Sequence, residues 1–294
     1  MVVIQALIDA LSFGSTYVLL GLGLSLVFSV LGLVNFSFGA LIVWGGLVLV
    51  TLTGLGFPYW VAVLAMVVIL TLISILTAKV AFQPFHGAPP ATLLLSSFGV
   101  ALILQAIAFI FFGQGPYFVE TPRWLSEQIQ LGSLSIGVLQ IVTIAACVGV
   151  ILVLQALLYH TSGGVQIRAV AESAQVAELM GIRSGRIFTM VFALSGAIAG
   201  VVAFLWFAKL GTASSVGDLN ITLKAFIVVV IGGLGTLRGA VVGGLLLGAF
   251  EAFLFTFTPA ELSSWQQTCA FLLVTLVLLI RPQGIMGQKV ELSR

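Results

Sequence analysis

Long apolar runs, separated by short polar or Gly/Pro-rich segments, dominate this sequence of 294 residues. A helix needs about 20 consecutive apolar residues to cross a hydrocarbon core about 30 Å thick. Hydrophobic residues make up 61% of the chain and charged residues only 7%, whereas soluble domains are about 45–50% apolar. The sequence therefore predicts an all-α fold, a polytopic transmembrane helical bundle that forms one integral membrane domain over residues 1–294.

We predict about eight or nine membrane segments in the cell (inner) membrane, some of them broken. These segments are 5–31, 38–54, 59–82, 91–112, 137–159, 187–208, a short one at 219–232, then 239–257 and 265–281. The N-terminus has no basic region and no small-residue cleavage site, so the first run is expected to be retained as a span. The exact number of spans stays open at this stage.

A polar segment at 160–186 lies between two of these runs and is predicted to be a short helix outside the bilayer. Its apolar residues repeat near helical spacing. They are Val165, Ala169, Val176 and Met180. Gly163 and Gly164 can break the preceding span, and Gly181 can end the helix in a left-handed conformation. An ordered polar helix on a membrane protein is expected to contact a soluble partner, although an amphipathic helix resting on the headgroups fits the same pattern.

Positive charges near the span ends predict the orientation. With 160–186 and the C-terminal tail inside, alternation places Lys79, His86 and Arg238 inside as well. The segments 113–136, 209–218 and 258–264 then fall outside. The N-terminus is external if all nine segments cross, but its side stays open because residues 35–39 can instead form a break within the membrane.

Two segments interrupt apolar sequence with glycine or polar residues at membrane depth, from Gly32 to Gly46 and from Lys224 to Gly244. Backbone freed by such a break must face protein or a wet cavity, and paired breaks in two halves mark substrate paths in transporters. We therefore predict a substrate pathway along both breaks. Its candidate residues are Asn35, Ser37, Gly39, Lys224, Gly232, Gly233 and Gly235. Close helix packing is the alternative role of the glycines.

Two ionisable residues lie within or near the apolar runs. Lys224 can snorkel to the interface, pair with Asp218 or meet a substrate carboxylate. Glu251 is the one acid recognised deep in a span, and such a residue is a functional candidate by default, unless it lies at a wet external end.

No catalytic or cofactor site is visible. Cys147, Cys269, His86 and His160 show no metal-ligand spacing, and the net charge of +2 gives no sign of nucleic-acid binding. No phosphate-binding G-x-x-x-x-G-K-[ST] loop occurs. Any ATP-driven work must therefore be done by another subunit, so the chain is not expected to be an enzyme.

Three ordered motifs resemble those of LivH-type permeases of branched-chain amino acid ABC importers. They are GLVNFSFGALIVWGG, IRAVAESAQVAELMGI and KAFIVVVIGGLGTLRGAVVGGLLLGAFEA, within a likeness that runs from about residue 6 to residue 286. The chain departs from the family pattern at Phe38, where the family usually carries His. That difference leaves the solute open, because related permeases carry urea, short amides and other amino acids.

The resemblance implies the membrane-spanning permease of an importer that translocates branched-chain or related amino acids by ATP-driven alternating access. The implied partners are a second permease subunit (related or identical), two cytoplasmic ATP-binding subunits, an extracytoplasmic solute-binding protein and membrane lipid. The segment 160–186 would seat on the ATPase as a coupling helix. The residues implied for this contact are Arg168, Ala171, Glu172 and Gly181. An ion-coupled secondary transporter and an integral membrane enzyme are the alternative classes.

Overall fold

The computed structural model describes residues 2–32, 34–85, 87–131, 134–216, 218–257, 266–281 and 283–287. These residues form eleven α-helices in one bundle. The first five are α1 (Val2–Leu31), α2 (Ser37–Gly54), α3 (Tyr59–Thr77), α4 (Pro90–Phe112) and α5 (Val138–His160). The remaining six are α6 (Ser162–Glu172), α7 (Ala174–Leu179), α8 (Ser184–Leu210), α9 (Asp218–Gly232), α10 (Leu237–Phe257) and α11 (Gln266–Ile280).

The predicted all-α membrane bundle is confirmed. Seven helices of the described residues are long and apolar enough to cross a membrane, and α9 and α11 supply two shorter apolar helices. The predicted segments match these nine helices to within a few residues. The predicted span 59–82 consists of α3 and a π-helical turn over Ala78–Phe82, and the sequence did not indicate this π-helical form.

The centre of the bundle is built around α1, which packs along α10 and also contacts α8 and α9. Glycines allow α1 and α10 to approach closely: a Cβ atom added to Gly244 would lie 2.5 Å from the backbone nitrogen of Val18. Gly248 similarly faces the backbone of Gly14. Small residues at a membrane helix interface permit this approach, so the packing role that the sequence left open holds for Gly244.

The helices α4 and α5 lie at the periphery, and most of their apolar side chains are exposed. Along α5 the buried side chains are Thr143, Cys147, Leu154 and Leu158. The remaining apolar side chains of α4 and α5 form an exposed surface, which is the expected boundary with lipid or with another membrane subunit.

Polar structure caps the two opposite ends of the bundle. At one end, β1 (Tyr117–Phe118) pairs with β4 (Thr212–Ala213), and β2 (Gln128–Leu131) pairs with β3 (Leu134–Gly137) as a hairpin. At the other end lie α6 and α7, since α5 runs the length of the bundle between the hairpin and α6. This arrangement agrees with the predicted placement of 113–136 and 160–186 on opposite sides. His86 and the segment 258–264 lie outside the described residues.

Candidate functional site

The polar segment 160–186 forms two helices, not the single helix expected. Ser173 separates them: it adopts an extended conformation with φ −159° and ψ 109°. Its hydroxyl accepts a hydrogen bond from the backbone N–H of Val176 at 3.3 Å and so caps α7. Serine is a favoured N-cap because its oxygen satisfies an N–H that the first turn leaves unpaired. The segment is therefore a compact helical pair, with α6 seated against the membrane end of α5.

Arg168 anchors α6 to α5. The sequence placed Arg168 four residues from Glu172, at a spacing that predicts an ion pair. In the structure its guanidinium instead donates to the backbone oxygen of Leu158. It also lies 4.8 Å from the centre of the Tyr159 ring. The Leu158 carbonyl belongs to the last turn of α5, where oxygens lack intrahelical donors, so Arg168 satisfies a helix end and fixes two helices together.

Gly164 has a different role from the predicted helix break. The helix α5 ends at His160, and Thr161 caps α6 by accepting from the N–H of Gly164 at 3.0 Å. A Cβ atom on Gly164 would meet the backbone of Leu158 at 2.5 Å. The glycine therefore lets the first turn of α6 rest directly on the last turn of α5.

Gly181 ends α7 as predicted, with φ +85°. Its N–H donates to the carbonyl of Glu178 at 2.9 Å, and the N–H of Ile182 donates to Ala177 at 3.0 Å. No other residue crowds the position, since an added Cβ would have nothing within 4 Å. Only the left-handed backbone favours glycine here.

The outward surface of α6, α7 and the following turn exposes several large apolar side chains among polar ones. Gly164, Ile167, Val170 and Ala177 are the buried residues of the two helices. Three members of the predicted apolar stripe face solvent, with Val165 at 53%, Val176 at 58% and Met180 at 79% exposure, and Leu179 reaches 87%. Ala171 and Glu172 are exposed beside them. Large apolar side chains outside the membrane spans mark an interaction surface.

The first break, after α1, lies within the bundle between α4 and α9. The backbone N–H of Phe36 donates to the hydroxyl of Ser97 at 3.4 Å, and its carbonyl accepts from Thr222 at 3.5 Å. Ser97 lies within α4 and Thr222 within α9. Freed backbone inside a membrane must find partners in protein, and these two side chains provide them.

Asn35 and Ser37 are buried beside this break, at 1% and 0% exposure. The side-chain oxygen of Asn35 accepts from the N–H and the hydroxyl of Ser37, at 3.1 and 2.7 Å. Asn35 thus holds the first turn of α2, and Gly39 is buried in the same helix. Phe38 is fully buried and packs its ring on Gly23 of α1, so the position that departs from the family pattern fills the core.

The second break, between α9 and α10, is closed by the C-terminal segment. Gly233 and Gly235 have φ values of +112° and +78°. The N–H groups of Ile285 and Met286 donate to the carbonyls of Ile231 and Gly232, each at 2.9 Å. The backbone freed by the break is therefore paired within the protein, as at the first break.

Lys224, Glu251 and Tyr17 form a polar cluster inside the bundle. The ammonium of Lys224 lies 2.9 Å from Glu251 Oε1 and 2.7 Å from the hydroxyl of Tyr17. Tyr17 also donates to Glu251 Oε2. The cluster joins α9, α10 and α1. The sequence singled out Lys224 and Glu251 separately but not as partners, and it missed Tyr17; the side chain of Asp218, the other partner considered for Lys224, lies outside the described residues.

The predicted site residues therefore fall into three separate groups. Asn35, Ser37 and Gly39 surround the first break. Gly232, Gly233 and Gly235 form the second break, and Lys224 belongs to the charged cluster. A common pathway through all three stays a prediction. Arg168, Ala171 and Glu172 lie on α6, and Gly181 lies in the turn that follows α7.

Comparison with known proteins gives consistent matches over nearly the whole chain. A family model described as the branched-chain amino acid transport system permease component matches residues 6–281. The high-affinity branched-chain amino acid transport system permease protein LivH of Escherichia coli K12 is 28% identical over 299 residues, 97% of this chain and 96% of that protein. The corresponding Pseudomonas aeruginosa protein BraD is 29% identical over 301 residues, with 97% and 96% covered.

A more distant relative and a solved structure are also similar. The probable branched-chain amino acid transport permease protein LivH of Methanocaldococcus jannaschii is 26% identical over 289 residues, 95% of this chain and 90% of that protein. A chain of PsaBC from Streptococcus pneumoniae, solved in complex with Fab, gives a TM-score of 0.47 at 16% identity, covering 96% of this chain and 93% of that chain.

Proposed function

The chain belongs to the family of branched-chain amino acid transport system permease components, and from that premise we propose that it is the membrane-spanning permease subunit of an ABC importer for branched-chain or related amino acids. It is a multi-pass protein of the cell (inner) membrane, with seven helices of spanning length among its described residues.

The exposed apolar surface of α6 and α7 carries the proposal. Val165, Val176, Leu179 and Met180 lie outside the spanning helices, and a helix pair that exposes them on its own is incompletely buried. The pair is also fixed to α5 through Arg168 and Gly164. A surface that exposes apolar side chains and is firmly attached to α5 suits the binding of a partner that moves the membrane helices.

We assign this surface to a cytoplasmic ATP-binding subunit, with Glu172 and Gly181 near the centre of the contact. The complete importer would hold two such subunits, a second permease chain and an extracytoplasmic solute-binding protein. The permease supplies a path that alternates its access between the two sides, while nucleotide hydrolysis belongs to the ATP-binding subunits. A ligand that binds two conformations with unequal affinity shifts their populations. Nucleotide bound to the ATP-binding subunits would shift the permease between its two access states in this way, through their contact with α6.

The test is uptake by a reconstituted importer. The chain would be coexpressed with the ATP-binding, permease and solute-binding subunits of the same genome, inserted into liposomes and supplied with labelled leucine, isoleucine or valine. We expect uptake that requires ATP. Uptake of urea or short amides in place of these amino acids would reassign the solute. Uptake by this chain alone, driven by an ion gradient without the ATP-binding subunits, would instead place it among secondary transporters.

Variants of the α6–α7 surface should separate ATP hydrolysis from transport. We expect Glu172→Ala and Gly181→Val to lower the uptake per ATP hydrolysed at least about tenfold, because one removes an exposed contact and the other strains a left-handed backbone by about 1–2 kcal/mol. Uptake and ATP hydrolysis would be measured on the same proteoliposomes. Resistance to unfolding in detergent should stay close to that of the wild type for Glu172→Ala and fall by no more than the strain of about 1–2 kcal/mol for Gly181→Val, because both positions are exposed.

Two matched variants serve as controls. Gly181→Asn should retain more coupling than Gly181→Val, because asparagine tolerates positive φ better than β-branched residues. Glu120→Gln changes an exposed carboxylate at the opposite end of the bundle and should leave coupling unchanged. Normal coupling in both Glu172→Ala and Gly181→Val would contradict the role of this surface.

A further inference from the structure

A cavity of about 430 Å³ opens at the end of the bundle that carries the β2–β3 hairpin. Asp9 of α1 and Lys209 of α8 line it, and both also line an adjoining cavity of about 160 Å³. Leu139 and Gln140 are shared in the same way. The two cavities are therefore neighbours that share these four side chains, and together we call them the vestibule. It lies at the end that the charge pattern predicts to be extracytoplasmic.

The vestibule is lined by one cation, Lys209, and by two carboxylates, Asp9 and the exposed Glu127. Of these three, Asp9 and Lys209 line both cavities, whereas Glu127 lines the larger one alone. Asp9 and Lys209 are close enough to interact electrostatically, yet no ion pair within 4 Å joins these two described residues. By contrast, the charged groups of the inner cluster, Lys224 and Glu251, are in direct contact at 2.9 Å. Opposite charges that face one space without direct contact leave room for a ligand that carries both.

Neighbouring side chains hold each charge in place. Gln140 donates to Asp9 Oδ1 at 2.7 Å, and Gln5 approaches the same oxygen at 3.5 Å. The ammonium of Lys209 lies 3.4 Å from the centre of the Phe13 ring, a cation–π contact that fixes its position. Among the described residues no hydrogen bond reaches Asp9 Oδ2, so one carboxylate oxygen remains able to accept from a ligand.

The hairpin is tied to the same wall. Gln5 donates to the backbone oxygen of Ser135 at 2.9 Å and accepts from its N–H at 3.3 Å. Gln140 also accepts from the N–H of Gly137 at 3.1 Å. The side chains that orient Asp9 therefore also hold the hairpin over the vestibule, which makes the site a built feature of this end of the molecule.

The smaller part of the vestibule has mainly apolar walls. Phe13, Leu139 and Phe255 contribute apolar surface, and Thr143 adds a hydroxyl. Binding sites typically combine an apolar pocket with a few placed polar groups. Here Asp9 and Lys209 are the charged groups that border the apolar compartment, while Glu127 lines only the larger cavity.

We propose that the vestibule binds a zwitterionic α-amino acid with an aliphatic side chain, an inference that rests on the proposed function and names a substrate site within it. The substrate carboxylate contacts Lys209, its ammonium contacts Asp9, and its side chain enters the compartment beside Phe13 and Leu139. Neutral solutes such as urea match neither charged group. Tyr17 lies eight residues beyond Asp9 on α1, about 12 Å at the rise of an α-helix, so the vestibule precedes the inner charged cluster.

Ligand analogues test the two charged contacts separately. Binding would be measured by saturation-transfer NMR on the purified importer without nucleotide or solute-binding protein. The probes are leucine, leucinamide, which lacks the carboxylate charge, and 4-methylpentanoate, which lacks the ammonium. We expect wild-type protein to bind leucine at least about tenfold more tightly than either analogue, the usual effect of losing one charged hydrogen bond.

The variants should divide these effects by charge. Lys209→Met is expected to weaken leucine binding about tenfold while changing leucinamide binding less than about twofold. Asp9→Asn should likewise weaken leucine binding about tenfold while changing 4-methylpentanoate binding less than about twofold. Lys79→Met and Glu120→Gln, which change exposed charges elsewhere, are the matched controls. Because each variant is compared across ligands, a general loss of folded protein cannot produce the expected pattern.

The outcomes separate this inference from the proposed function. If the wild-type importer takes up leucine but Lys209→Met and Asp9→Asn bind all three probes as the controls do, the vestibule is not the substrate site. An equal loss for all three probes in both variants would also overturn the assignment. If the binding pattern holds but no ATP-dependent uptake occurs, the vestibule stands as an amino acid site and the importer function fails.

Discussion

Replacing Gly244 with leucine is expected to prevent this permease from accumulating in folded form. Even a single Cβ at this position would lie 2.5 Å from the nitrogen and 2.7 Å from the Cα of Val18, so α10 must move away from α1. That separation opens the most extensive helix contact in the bundle. We expect the free energy of unfolding to fall by more than about 4 kcal/mol, a loss that single substitutions cause only through severe defects such as overpacking.

The measurement is unfolding by SDS titration of the purified chain in mixed micelles, together with the yield of monodisperse protein. Gly244→Ala should fall between wild type and Gly244→Leu, because it adds one atom to the same contact. Gly149→Leu is the matched control, since Gly149 lies in α5 and an added Cβ there has nothing within 4 Å. Wild-type stability in Gly244→Leu would show that α1 and α10 are not packed as described.

Neutralising one partner of the inner ion pair should produce the second large effect. Lys224→Met leaves the Glu251 carboxylate without its cation inside the bundle. Removing one member of a buried pair costs about 3–5 kcal/mol, because the other charge stays desolvated and unpaired. The side chains of Lys224 and Glu251 are 28% and 15% exposed. Because both are partly solvated, we expect Lys224→Met to lower the free energy of unfolding by an amount near the lower end of that range.

A double-mutant cycle tests the pairing itself. The variant Lys224→Met/Glu251→Gln removes both charges, and we expect it to be more stable than Lys224→Met alone. Lys79→Met, at an exposed position, should change the free energy of unfolding by less than about 0.5 kcal/mol. Additive effects of the two single substitutions would mean that Lys224 and Glu251 do not interact in the folded protein.

The membrane helices were predictable because their signal is length. A run of apolar residues long enough to span a bilayer is recognisable without knowing its neighbours, and α2, α5 and α8 begin within a few residues of the predicted positions. The turn at Gly181 was equally local, since a left-handed C-terminal residue depends on the chain beside it.

Features that depend on how helices meet were not predictable in the same way. Gly164 looked like a helix breaker, but its role is contact with Leu158, which the spacing of the glycines does not reveal. The cap at Ser173 did leave a signal, because serine favours the first position of a helix. The surrounding alanines favour helix as well, and they concealed the boundary between α6 and α7.

The charged groups show most clearly that contacts between helices are not predictable from the sequence. Lys224 and Glu251 were each recognised, and the rule that ionisable residues in membranes pair with one another could have joined them. Asp9 carried the same signal, as an acid within the predicted span 5–31, but it was not singled out. Tyr17 had no comparable signal, because its role follows from the position of α1 against α9 and α10. The sequence identifies residue types that need a partner, whereas helix packing determines which partner they meet.

The helix α5 connects the two ends of the bundle, because it is long, continuous and only partly buried. It is one continuous helix from Val138 to His160, about 33 Å between terminal residues at the rise of an α-helix. Gln140, near its start, holds Asp9, while the carbonyl of Leu158, near its finish, is held by Arg168 of α6. Few of its side chains are buried, so we expect α5 to tilt more easily than the central helices. We therefore expect a displacement of α6 to reach the hydrogen bond between Gln140 and Asp9 at the opposite end of the bundle.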